Sequence, residues 1–312
     1  GCLFFTAVSP PSRHQAVAIL AQATHRPNSP RSIVCAPEPP PFLREQNPPA
    51  RPMARRYDSR TTTFSPEGRL YQVEYAMEAI NMAGSTIGIL ADDGVILAGE
   101  KKTTSKLLDQ AKQHEKLFQI DTSMFCAVAG ITSDANILIN KLRLTAQQHV
   151  YTYHESMPVE ELVTSICDLK QGYTQFGGLR PFGVSFLVAG YDKAHGFQLY
   201  HTDPSGNFSG WKAYAIGINN NTAQQIMRQD WKEGMKLQEA LELAAKVLIK
   251  TMDTANPNAE KLEFGVVQKT ESGQVRFRML KDTEVNKLMA DAAPKEAEEG
   301  AAASSGAAPA AP

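Results

Sequence analysis

The chain has 312 residues, 42% hydrophobic and 21% charged, with a formal net charge of −1. That length and apolar content allow one large domain or two ordinary ones around a sizeable core. The balanced charge argues against a nucleic-acid or polyphosphate partner, because such binding needs clustered Lys and Arg to neutralise phosphates. Arg55-Arg56 and Lys101-Lys102 are the basic blocks that stand out. Cys2, Cys35, Cys126 and Cys167 show no CxxC spacing and no histidine at ligand spacing, so no zinc or other metal site, no cofactor and no disulfide framework is expected. Reduced, buried and inert thiols in an intracellular protein fit this pattern.

Residues 1–52 cluster prolines, nearly lack glycine and hold no hydrophobic period, so they are expected to be disordered. The run Ala16-Val17-Ala18-Ile19-Leu20-Ala21 is too short to span a bilayer. The Ser, Arg and Pro content with few acids resembles an organelle transit peptide, which leaves import of a precursor as one reading. Upstream sequence that the mature protein lacks is the other.

Next comes the stretch from Phe64 to Ile80. Pro66 fixes φ and Gly68 tolerates unusual backbone, so Ser65-Pro66-Glu67-Gly68 is a turn. After it, Leu70, Val73, Met77 and Ile80 recur at helical spacing with Ala76 filling the stripe, and Gly84 is expected to stop the helix. The pattern alone fits an amphipathic docking helix or a helix packed on its own core.

From Gly84 the pattern turns to strands. Ser85 to Leu90 and Val95 to Gly99 flank an Asp93-Gly94 turn, and Leu117 to Ile120 with Met124 to Ala129 make a second pair. A helix follows, capped by Ser133 or Asp134, with Ala135, Leu138, Ile139, Leu142 and Ala146 as its buried stripe. Another begins after Pro158, with Val159, Leu162, Val163, Ile166 and Leu169 in phase. Strands are expected at Phe182 to Ala189, Phe197 to His201 and Lys212 to Ile216, then helices around Thr222 to Lys232 and Leu237 to Met252, the latter with Leu237, Ala240, Leu241, Ala244 and Leu248 inward. The strands Leu262 to Lys269 and Gln274 to Leu280 close the ordered part, and residues 291–312 read as a solvated Ala, Glu and Pro-rich tail.

Helices arriving in pairs between hairpins point to an α+β fold, with antiparallel sheets covered on their outer faces rather than a doubly wound parallel sheet.

Tyr57-Asp58-Ser59-Arg60, followed by the turn and helix above, resembles the amino-terminal signature of proteasome alpha-type subunits. The segment from Gly172 through Tyr173, Phe176, Gly177, Gly178 and Pro181 to Ser185 resembles the same family, and the resemblance covers about residues 53–288. It implies a four-layer αββα sandwich of two antiparallel sheets, the amino-terminal nucleophile hydrolase fold, preceded by an alpha-subunit helix. The domain would occupy 53–290, and Met53 is where the family normally begins. The resemblance also implies a non-catalytic ring subunit of the 20S proteasome, serving the axial gate, regulator docking and barrel assembly in ubiquitin-dependent protein degradation. The implied partners are other alpha subunits in a seven-membered ring, beta-ring subunits, and an ATPase regulatory particle or other activators, in cytoplasm and nucleus. No nucleic acid and no membrane are implied.

Beta subunits of this family use an amino-terminal threonine helped by an acid and a lysine, and the resemblance puts Gly84, Glu100 and Lys116 at those positions. Glycine offers no nucleophile, and a preceding helix leaves no free α-amine. Thr86 is near in sequence but needs proteolytic exposure to act. The competing hypothesis, an amino-terminal nucleophile hydrolase in its own right, would require Thr, Ser or Cys at position 84. Glu100 reads as a solvated or hydrogen-bonded strand-end acid. The resemblance assigns Lys116 and Gly130 to a pocket for the carboxy-terminal tails of activators, against the plainer readings of an exposed lysine and a strand-to-helix turn. It assigns Tyr57, Asp58, Pro66 and Tyr75 to the gate, while Ser59 departs from the arginine usual in archaeal relatives. His114, His149, His154, His195 and His201 have no partner acid at helical or metal spacing and read as surface or satisfied structural groups.

Overall fold

The computed structural model describes residues 60–101, 116–252, 261–270 and 273–290. The expected extension 1–52, the gate residues Tyr57 and Asp58, and the tail 291–312 lie outside the described residues.

The chain enters through the predicted turn, where the Gly68 amide donates to the Ser65 carbonyl at 2.9 Å and the Arg69 amide to Ser65 Oγ at 3.1 Å. Helix α1 (Tyr71–Asn81) buries Val73, Ala76 and Ile80, while Met77 of the predicted stripe is 36% exposed. It ends three residues short of Gly84.

Two five-stranded antiparallel sheets follow. The first orders β10 (Val275–Met279), β9 (Leu262–Lys269), β2 (Gly94–Glu100), β1 (Thr86–Leu90) and β8 (Ala213–Ile216). The second orders β3 (Leu117–Asp121), β4 (Met124–Gly130), β5 (Val184–Asp192), β6 (Gly196–Thr202) and β7 (Phe208–Gly210). Strand β7 is short and carries no signal in the sequence pattern, and Lys212 falls outside β8.

The central strands show why the sheets stack. Along β4, Met124, Cys126 and Val128 join one apolar cluster and Phe125, Ala127 and Ala129 another, because successive strand side chains point to opposite faces. Along β2, Val95 and Leu97 share the second of these clusters, while Ile96 and Ala98 enter a third. The shared cluster lies between the sheets. The outer two are closed by helices, α2 (Thr132–Tyr153) and α3 (Val159–Gln175) over the second sheet, α4 (Asn220–Asp230) and α5 (Leu237–Thr251) over the first. The result is the expected four-layer α+β sandwich. Residues 282–290 add an unanticipated helical turn whose Val285, Leu288 and Met289 enter the α5 side.

One helix expectation is corrected: neither Ser133 nor Asp134 caps α2, which starts at Thr132 without a side-chain cap. On α3 the inward face is wider than expected, with Leu169 half-buried against the apolar cluster and Cys167 and Lys170 buried beside it.

Candidate functional site

Gly84 sits just before β1, where three backbone strands converge. The Glu100 amide donates to the Ser85 carbonyl at 2.8 Å, the Ile218 amide to the Ala83 carbonyl at 2.8 Å, and Ser85 Oγ to the Ile218 carbonyl at 2.7 Å. The segment is therefore held on both sides as continuing chain. A Cβ on Gly84 would lie 2.6 Å from the Glu100 carbonyl oxygen and 3.5 Å from Lys116 Nζ, so a side chain fits only if backbone moves.

The three positions singled out in sequence do come together. Lys116 Nζ donates to the Gly84 carbonyl at 3.0 Å and the Val128 carbonyl at 3.3 Å. Lys116 is 5% exposed, which corrects the reading of an exposed lysine at a strand start. Glu100 is 7% exposed on β2, so it is a buried acid rather than a solvated one. Thr86 is fully buried in the middle of its sheet, paired with Gly99 on one side and Ile216 on the other, and its hydroxyl donates to the Val128 carbonyl at 3.3 Å.

One residue that holds this arrangement escapes a reading of the sequence. Glu263 on β9 is 4% exposed, and its Oε2 accepts from the Lys116 amide at 3.3 Å and the Leu117 amide at 3.1 Å. Its Oε1 lies 3.0 Å from Lys101 Nζ, an ion pair. The sequence offers no signal, since the partners are 146 and 147 positions apart.

Gly130 ends β4 with φ +129°, and a Cβ there would collide with the Gly183 carbonyl. The need for glycine is thus met within the chain, by the close approach of the segment leading into β5. That crossing has a second tie. Asp134 on α2 accepts both Arg180 nitrogens, at 2.6 and 2.8 Å, and the Gly183 amide at 3.1 Å. The Arg180 hydrogen bond, helped by Gly183, holds the Asp134 carboxyl below the usual carboxylate range. Lys116 and Gly130 share one end of the second sheet, because the Val128 amide donates to the Lys116 carbonyl at 2.9 Å.

Of the residues expected at a gate, Pro66 is exposed in the turn, and Tyr75 is 45% exposed on α1 beside Tyr71, their rings 6.3 Å apart. Burial pushes the Cys126 thiol up to about 12 and the Cys167 thiol up to about 11, which keeps both as thiols. No group of three or more His, Cys, Asp or Glu is placed to hold a metal ion among the described residues, and none of their helices is long and apolar enough to cross a membrane.

Two stacked five-stranded antiparallel sheets between helix layers match the sandwich expected of the amino-terminal nucleophile hydrolase fold. The family profile described as proteasome subunit matches residues 80–267, and the N-terminal signature of the A-type proteasome subunits matches residues 57–79. The chain belongs to the proteasome subunit family. It is 62% identical over 237 residues to proteasome subunit alpha type-4-A of Arabidopsis thaliana, covering 76% of this chain and 95% of that protein. It is 61% identical over 241 residues to proteasome subunit alpha type-4-1 of Oryza sativa subsp. indica, covering 77% and 96%. With proteasome subunit alpha type-4 of Dictyostelium discoideum it shares 65% identity over 219 residues, 70% of this chain and 88% of the relative.

Proposed function

We propose that this chain is a non-catalytic alpha-ring subunit of the 20S proteasome, similar to type 4, acting in cytoplasm and nucleus in ubiquitin-dependent protein degradation. The observation that carries the non-catalytic reading is the filled space at Gly84. The Glu100 carbonyl occupies the direction a nucleophile's Cβ would take, and Lys116 spends its ammonium on the Gly84 carbonyl. Purified alone, the full chain should not cleave fluorogenic peptides, and native mass measurement of the assembled particle should find it in a ring of seven alpha-type chains. Labelling of this chain by a threonine-directed inhibitor would overturn the proposal.

The same reading gives the gate to Tyr57, Asp58, Pro66 and Tyr75, with domain limits at 53–290. It gives a pocket for activator tails to Lys116 and Gly130, with beta-ring subunits and ATPase regulators as the other partners. Support for the pocket is that both residues lie at the same end of β4. A tail carboxylate would have to compete with the Gly84 and Val128 carbonyls for the ammonium, so its gain is smaller than for a lysine facing water. Binding of an activator's carboxy-terminal peptide should fall in the order wild type, Lys116→Arg, Lys116→Ala, Lys116→Glu, because arginine keeps charge but changes reach, and glutamate repels the carboxylate. Equal affinity across the series would remove Lys116 from the pocket.

A further inference from the structure

The chain contains two tryptophans, and the fold brings both to one cavity. It measures about 440 Å³ and lies between the β7–β8 connection, the edge strand β8 and the last turn of α4. Its lining includes Trp211, Tyr214, Met227, Arg228 and Trp231, with Lys212 between them. This volume falls in the range of small-ligand sites, which runs from about 300 to 1,000 Å³.

The walls are ordered aromatic surface. The Trp211 and Tyr214 rings pack with centroids 4.4 Å apart, and His201 packs on the other contact of Tyr214 at 4.4 Å. Trp231 caps α4, its amide donating to the Met227 carbonyl at 2.9 Å, over the buried Met227 side chain. Trp211 is nonetheless 40% exposed, so its ring is open to a ligand.

Charge decides what kind of ligand suits these rings. Three aromatic residues around a cavity would ordinarily favour a quaternary or methylated ammonium. Here the chain supplies its own cation: Lys212 Nζ lies 5.0 Å from the Trp231 ring centroid. Lys212 is also paired with Glu233 at 2.8 Å, so its charge is already answered. Arg228 is not. It is exposed on the lining and makes no hydrogen bond or ion pair among the described residues. A second cation would therefore meet like charge, whereas a carboxylate or phosphate would find a guanidinium with its planar donor fork open.

We propose that this cavity binds a flat aromatic group bearing an anionic substituent, the ring stacking on Trp211 and the anion pairing with Arg228. Gly84 is not among the cavity's lining residues. The chemistry is that of a free aromatic acid or of an aromatic side chain beside an acidic residue in a peptide.

Because the two tryptophans line the site, their fluorescence in the purified full chain reads binding directly. Benzoate should quench or shift the emission saturably, at least fivefold more tightly than its neutral counterpart benzamide. Benzyltrimethylammonium should not compete. Arg228→Gln should erase the preference for benzoate over benzamide while leaving thermal unfolding unchanged, and Trp211→Leu should weaken both ligands. The peptide N-acetyl-Tyr-Glu separates the sources: tighter binding than benzoate assigns the site to peptides, weaker binding to free acids. Equal affinity for benzoate and benzamide, an unchanged preference in Arg228→Gln, or tighter binding of the ammonium would overturn the proposal.

Discussion

Lys116 and Lys170 are both buried, 5% and 0% exposed, and the fold treats them differently. Lys116 stands where backbone segments meet, with two carbonyl acceptors for its ammonium and the carboxylate of Glu263 fastening its own amide. Lys170 points from α3 into the apolar layer against β5 and β6. Its Nζ donates to Thr202 Oγ1 at 2.9 Å and the Val184 carbonyl at 3.2 Å, and sits 4.8 Å from the Phe186 ring centroid. No carboxylate contacts it among the described residues, and burial draws it from the usual lysine value down to about 8. The first lysine is part of a polar junction. The second is a charge held in a core by dipoles and a ring face, which solvate an ammonium less well than water does.

The largest effect is expected where the junction loses its anion. Glu263→Ala strands two buried amides and the charge of Lys101, and should cost about 3–5 kcal/mol in urea denaturation. A loss below about 1 kcal/mol would mean that the junction is held by its backbone pairing alone.

Lys170 should show itself through pH. Its folded-state value of about 8 lies below the ordinary 10.5, so between those limits the unfolded chain binds more protons and stability rises with pH. The rise attributable to this group is about 3 kcal/mol, fully present above pH 10.5 and absent below pH 8. Lys170→Met should flatten that limb and be neutral or stabilising at pH 7, since a hydrophobic replacement removes the buried charge. Parallel stability curves for the two proteins would end the contrast with Lys116.

His201 provides an acidic counterpart on the same side of the molecule. Burial draws its imidazole from 6.5 to about 4, with Lys170 acting in the same direction and Asp203 against it. The folded state again binds fewer protons, so stability should be lost as pH falls from 6.5 to 4, by about 3 kcal/mol. His201→Asn should remove this limb when unfolding is followed at pH 4.5 and 7. An unaltered acid limb would place the loss elsewhere.

The smallest effect is expected for Lys116→Met. The Gly84 and Val128 carbonyls both lose the ammonium but keep the Thr86 hydroxyl within reach, at 3.5 and 3.3 Å, so about 1 kcal/mol should be lost. A loss as large as that of Glu263→Ala would show that the ammonium, and not the carboxylate, organises the junction.

Much of this is legible in the residues themselves. Alternation along β2 and β4, the Asp93-Gly94 turn and the stripe Ala135, Leu138, Ile139, Leu142, Ala146 on α2 all carry their period in the sequence, and every residue of that stripe is buried. Lys170 stands at helical spacing from Val163 and Ile166 too, but a charged residue on an apolar stripe reads as inward less readily than its neighbour Leu169. Val285, Leu288 and Met289 hold the same kind of spacing in the unanticipated last helix.

The sequence by itself determined that position 84 has no side chain, because absence of a nucleophile is a property of one residue. It also determined the layers, because strand and helix periods are local. Only the tertiary structure decided that the space at Gly84 is filled by the Glu100 carbonyl, that Lys116 is buried, that Glu263 and Asp134 serve as anchors, and that two tryptophans share a cavity. Those outcomes depend on contacts between residues far apart in the chain, whose distances are set by how the sheets stack and not by any local period.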